Sequence, residues 1–304
     1  MRLSFSGHET FPLRFSWLKK AVDAVKRDPT VFSADDALAR FGVGKNMVRS
    51  IKHWARATGM IENASGRGAV RVTPLGEFLF GEDGADPFCE DPATLWILHW
   101  NISRTAERST LWHFVFGHWR GGALELDALR PALRQWLADE HDDSPPAVST
   151  LRRDLKCLRT SYAPGRSEKA NLEEVVGCPL ASLGIVQENE GLYHLHQGYQ
   201  TALPPDIFSY VVLDYWKRRA PDSETLALQE FLSERASPGR ILLLSEDQAF
   251  ALIEQFDERP DPPFVYRDSA GIRQLYRSES GAIDPMAPLR RYYDDRAARS
   301  RRAA

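Results

Sequence analysis

Lys45, Arg49, Lys52 and Arg56 recur every three or four residues. At helical periodicity they fall within about 60° of arc, a single cationic stripe. Met47, Val48, Ile51, Trp54, Ala55 and Thr58 occupy the opposite side, with Asn46, Ser50 and His53 on the shoulder between. No Asp or Glu occurs from 45 to 58. A helix of this pattern docks by its apolar side and offers solvent cations together with amide, hydroxyl and imidazole groups. Cations suit phosphates, and polar forks suit base edges in a major groove. A merely solvated helix face mixes both signs of charge; this one does not. Lys45, Asn46, Arg49, Ser50, Lys52, His53 and Arg56 therefore read as a surface for double-stranded DNA.

Other groups could do chemistry. From 149 to 162, Leu151, Leu155, Leu158 and Tyr162 share one face. Arg152, Arg153, Lys156 and Arg159 share the other, with Asp154 off to the side. That second basic face suits either DNA or an acidic partner. His8, Glu9 and Arg14 offer a base, a carboxylate and a cation, which could activate water or a metal and stabilise charge on a phosphate. Such residues on an N-terminal arm more often fasten the arm to the fold. No H-N-H arrangement and no Asp…Glu-x-Lys cluster is visible. His99, His113 and His118 lie among tryptophans without an i,i+4 ligand pair, which reads as core rather than metal. Cys89, Cys157 and Cys178 form no C-x-x-C pair, so reduced, buried thiols are expected. No cofactor and no metal site is identified.

The elements that must position these residues follow from periodicity. Trp17 to Arg27 is an amphipathic helix that Asp28-Pro29 ends. Ser33, with Asp36 three residues on, predicts a capped second helix reaching about Arg40. Phe41-Gly42-Val43-Gly44 is a tight turn, and the basic helix runs from Lys45 to Thr58, stopped by Gly59. Ile61–Asn63 and Ala69–Val72 flank a glycine-rich loop, predicting a hairpin with Arg67 and Arg71 placed for phosphate or minor-groove contact. Thr73-Pro74 starts a fourth helix. Helix, helix, glycine turn, helix, hairpin is the order of a winged helix-turn-helix, here residues 1–85.

Asp86-Pro87 and Asp91-Pro92 mark a boundary, and 86–304 read as a larger, mostly helical body. It opens with Trp96, Trp100, Trp112, Phe114, Phe116 and Trp119. Helices are expected at 126–137, at 149–162 (capped by Ser149) and through 173–176 and 180–183. A hairpin around Glu188–Gly191 follows, so that about 126–200 forms a second winged-helix-like unit. Helices at 206–218, 222–236 and 245–256 precede a less regular, arginine-rich tail. The fold class is mainly α.

At 304 residues, the chain has a formal net charge of −3, which by itself argues against nucleic acid. The distribution argues otherwise: residues 1–75 carry 13 Lys and Arg against 6 Asp and Glu, a net of +7, and the remainder carries −10. No apolar run approaches the roughly 18 residues of a membrane span, and the N-terminus lacks a signal-peptide core. No membrane partner is expected, and the cytoplasm is the expected compartment.

Ser6-Gly7-His8-Glu9-Thr10-Phe11 with Arg14 and Trp17, and Phe41 to Val48 with Ile51, His53 and Trp54, resemble blocks of a bacterial family. Cys178-Pro179-Leu180 with Leu183-Gly184, and Asp268 with Ala270-Gly271-Ile272, extend the likeness over most of the chain. The family, long catalogued as a domain of unknown function, is the SspB-like family of the Ssp DNA phosphorothioation systems, which take part in phage defence. The resemblance implies a component that engages DNA and nicks one strand for sulfur insertion. It implies partners among an ATPase, a sulfurtransferase and a desulfurase, and Mg²⁺ or Mn²⁺ if it is a nickase. A transcriptional regulator, or a non-enzymatic adaptor recruiting modification enzymes, would use the same helix.

Overall fold

The computed structural model describes residues 3–164, 177–198, 202–257, 262–278 and 283–303. The chain divides into two compact units, Met1–His196 and Gln197–Ala304. The boundary suggested near residue 85 falls inside the first unit, because the next helices are the core on which the N-terminal segment rests.

Helix α1 (Trp17–Arg27) buries Trp17, Leu18, Ala21, Val22 and Val25, the stripe its periodicity requires. Ser33 does not cap a helix: Val31–Ser33 is a 3-10 turn, and α2 is only Ala37–Phe41 with Asp36 at its N-cap. The Asp28 carboxylate accepts instead from Thr30 N–H and hydroxyl, an Asx turn that redirects the chain after α1. Gly42, at φ +62°, closes α2 in the left-handed conformation. Helix α3 (Lys45–Ala57) packs on α1. Strands β1 (Ile61–Asn63) and β2 (Val70–Val72) pair antiparallel in the register Ile61↔Val72. Helix α4 (Pro74–Phe80) starts as its sequence predicts, with Thr73 Oγ1 accepting from Gly76 N–H at 3.0 Å. A Cβ on Gly76 would lie 2.1 Å from Met60 O, so this approach requires glycine.

Helix α5 (Pro92–Ser103) buries every residue from Ala93 to Ser103, and α6 (Thr110–Gly117) is buried throughout. Helices apolar all round are interior helices. Asp86 accepts from Glu90 N–H, Asp91 N–H and the Thr94 hydroxyl, so the Asp-Pro punctuation is the start of α5 rather than a linker. Helix α7 (Leu126–His141) and α8 (Val148–Tyr162) follow; Ala147 rather than Ser149 is the N-cap of α8. The helix expected at 173–176 lies outside the described residues. Pro179–Leu183 is a 3-10 turn, and β3 (Val186–Asn189) pairs with β4 (Leu192–Leu195) as a hairpin.

In the second unit, α9 (Pro205–Arg219) precedes β5 (Thr225–Ala227), α10 (Leu228–Ser233), α11 (Pro238–Ile241) and α12 (Glu246–Asp257). Strands β6 (Phe264–Ser269) and β7 (Ile272–Arg277) join β5 in an antiparallel sheet of order β5-β7-β6. The helix expected at 222–236 is thus a three-residue strand followed by a six-residue helix. Ala270 and Gly271, at φ +54° and +83°, form the two-residue turn between β6 and β7. The arginine-rich tail is an ordered helix, α13 (Met286–Ala303), tied to α9 by Arg291 at 2.6 Å from the largely buried Asp206.

Candidate functional site

Helix α3 buries Val48, Ile51, Trp54, Ala55 and Ala57 and exposes Lys45, Asn46, Arg49 and Arg56. Gly44 is its N-cap and supplies no side-chain acceptor, so the first N–H groups open next to Lys45 and Asn46. Lys52 is half-buried, its ammonium 5.6 Å from the centre of the Phe32 ring; burial and then Arg56 lower its pKa below the ordinary lysine value. Two shoulder residues differ from expectation. Ser50 is fully buried. His53 packs edge-on to Trp54, and burial first, then His8 and Arg56, push its pKa down to about 3. Its imidazole is neutral and belongs to the packing rather than to the exposed face.

What covers that shoulder is the arm, Ser4–Phe11. Asp154 on α8, itself 1% exposed, accepts from Ser6 N–H at 3.0 Å, from the Ser6 hydroxyl at 3.0 Å and from His8 Nε2 at 3.1 Å. Thr10 N–H donates to His8 Nδ1, which leaves the imidazole proton on Nε2 facing the carboxylate. The His8 ring lies between Trp54 of α3 and Trp112 of α6, with ring centres 6.3 and 5.6 Å away. Trp54 Nε1 donates to Phe11 O at 2.9 Å. A Cβ on Gly7 would come within 2.3 Å of His53 Nδ1, so only glycine passes there. Buried to 1% exposure, His8 fastens the arm. Glu9 reaches the basic stripe instead, 3.4 Å from Arg49 Nη1, so the face free of acids in the helix sequence acquires one from the arm. Arg14 lies over the Trp17 ring at 5.5 Å. The sequence marks the arm's block but gives no sign of its anchor, because Asp154 looks like a stray acid on a basic helix.

Arg67 is exposed in the hairpin loop, whereas Arg71 pairs across the strands with Glu62 at 2.7 Å. On α8, Arg152, Arg153 and Lys156 are exposed, but Arg159 turns inward to Glu125 at 2.6 Å and over the Tyr193 ring. Arg159 thus leaves the second basic face. Cys89, Cys157 and Cys178 are buried free thiols with pKa values raised by burial, Cys178 to about 12. That is the opposite of an activated sulfur. His99 meets the Tyr162 hydroxyl at 2.8 Å, and His113 Nδ1 meets Ser103 O at 2.7 Å with Nε2 facing His118. Among the described residues, no group of three or more His, Cys, Asp or Glu side chains is arranged to hold a metal, and no helix is long and apolar enough to cross a membrane.

Residues 5–293 match the family described as "Protein of unknown function (DUF4007)", and the chain belongs to that family. Two solved structures are similar over 96% of this chain and 88% of theirs, each at 27% identity. They are "SspB crystal structure", with a TM-score of 0.86, and "Magnesium ion-bound SspB crystal structure", with a TM-score of 0.84. The likeness to SspB carried by the arm and the turn before α3 is borne out. No curated protein matches the chain.

Proposed function

We propose that this protein is the duplex-DNA-binding component of a DNA phosphorothioation system, with α1 to β2 acting as a winged helix-turn-helix and α3 as its recognition helix. The observation that carries this reading is the division of α3 into a buried apolar side and an exposed side bearing Lys45, Asn46, Arg49 and Arg56. Cations on that side neutralise phosphates, and Asn46 at the open helix start has an amide suited to the N6/N7 edge of adenine. Arg67 in the loop adds a contact beside the groove. The likeness to SspB supplies the system: a component that engages DNA before sulfur replaces a backbone oxygen, working beside an ATPase, a sulfurtransferase and a desulfurase.

Nicking is the finer part of what the likeness implies. Of the residues offered for it, His8 is buried in the arm's anchor, Glu9 pairs with Arg49 and Arg14 lies over Trp17. Among the described residues, no three His, Cys, Asp or Glu side chains come together to hold a metal such as the magnesium of the similar structure.

Reversing Lys45, Arg49, Lys52 and Arg56 to Glu should abolish duplex binding in a titration of labelled DNA while the protein still folds cooperatively. A folded quadruple variant that binds as tightly as the parent would refute the reading.

A further inference from the structure

The arm is built with more care than a fastening needs. Ser6, Glu9 and Thr10 hold φ of +58°, +48° and +69°, conformations that non-glycine residues adopt only where surrounding contacts impose them. Those contacts lie on both sides of Glu9. On one side, the His8 ring is held by Asp154, Trp54 and Trp112; on the other, Phe11 O is held by Trp54 of α3 itself. The Glu9 carboxylate is thereby set against Arg49, 3.4 Å from Nη1, with the pair still 32% and 55% exposed.

A carboxylate in the middle of a duplex-binding stripe repels every phosphate that approaches, whatever the sequence. It lowers affinity for DNA in general. It also does something a solvated stripe cannot, which is to draw a guanidinium toward one orientation. Arg carries five N–H donors in a rigid fork on a flexible stem, and an unheld stem reaches phosphates and bases alike. With Nη1 drawn to the Glu9 carboxylate at 3.4 Å, the remaining donors favour one direction. A fork held in this way suits the paired O6/N7 acceptors of guanine, which need it presented in plane. Repelling the general partner while orienting the donor for a specific one is how discrimination is built from a difference of affinities.

We infer that Glu9 is a positioning residue for sequence discrimination: it orients Arg49 toward a base edge and penalises contacts to phosphates alone. The inference rests on the duplex-binding reading of α3.

The test starts from a preferred site selected by the wild-type protein from random duplexes. The ratio of Kd for a scrambled duplex to Kd for that site is then measured. Glu9→Gln should tighten scrambled binding and shrink the ratio by about tenfold, corresponding to the discrimination of one oriented arginine fork. Glu9→Asp, which keeps the charge, should recover part of the ratio. In an Arg49→Gln background, Glu9→Gln should change it less than about twofold, an interaction a merely structural role would not produce. An unchanged ratio in Glu9→Gln, or an equal change with Arg49 absent, would overturn the inference. Wild-type protein that binds all duplexes alike would also overturn it while leaving the duplex-binding reading intact. Failure to bind any duplex would sink that reading first.

Discussion

His53 sits on the helix that carries the exposed cations, yet its ring is turned into the packing. Burial, with His8 and Arg56 nearby, holds its pKa near 3 against an ordinary 6.5. The native state therefore keeps it neutral where the unfolded chain takes up a proton. Its contribution to stability is complete above about pH 6.5 and is lost as pH falls toward 3, by at most about 1.4 kcal/mol per pH unit. His113, also lowered by burial, acts with the same sign. The unfolding midpoint of the wild-type protein should fall between pH 6.5 and 5, and a His53→Gln variant should show a shallower fall. Parallel pH profiles for the two proteins would count against this assignment. Helical periodicity placed His53 and Ser50 on a shoulder facing solvent, because a wheel describes one helix and not what lies over it. What lies over it is the arm, whose course depends on contacts more than 140 residues distant in sequence, such as Ser6 with Asp154.

Asp154 turns that distant contact into a fixed relation between elements. It accepts from Ser6 N–H, Ser6 Oγ and His8 Nε2, with Asp154 and His8 buried and Ser6 partly so. Asp154→Ala would leave the His8 donor buried and unmatched and the part-buried Ser6 donors without their acceptor, a cost of about 2–4 kcal/mol. Chemical denaturation should register that loss, with Asp154→Asn losing less because one carbonyl oxygen still accepts. An Asp154→Ala protein as stable as the parent would mean the arm is not anchored there. Elements with strong local signals were legible: the α1 stripe, the α3 pattern, the Thr73-Pro74 cap and both glycine-bearing hairpins. The β5-β7-β6 sheet was not. Thr225–Ala227 is only three residues long and runs straight into α10, so its strand is set by pairing with β7, in the register Thr225↔Tyr276, rather than by local pattern. Charge density likewise disguised α13, whose anchors are Leu289, Tyr293 and the Arg291–Asp206 pair.

For the whole molecule, the governing quantity is the distribution of charge. A chain of net −3 can bind a polyanion only through a lobe such as residues 1–75, which carry +7. Not every cation in that lobe is available. Arg40 is engaged by Asp28 and Asp36 at 2.6 and 2.9 Å, whereas Lys45 and Arg56 are exposed and enter no ion pair among the described residues. Salt separates these cases, because each phosphate contact releases counterions and steepens the dependence of log Kd on log salt concentration by about one unit. The most direct measurement is that slope for wild-type protein and for Lys45→Ala, Arg56→Ala and Arg40→Ala on one duplex. The slope should be lower by about one unit in each of the first two variants and unchanged in the third. Wild-type slopes in Lys45→Ala and Arg56→Ala, or an equal loss in Arg40→Ala, would contradict the assignment of α3 as the surface that meets DNA.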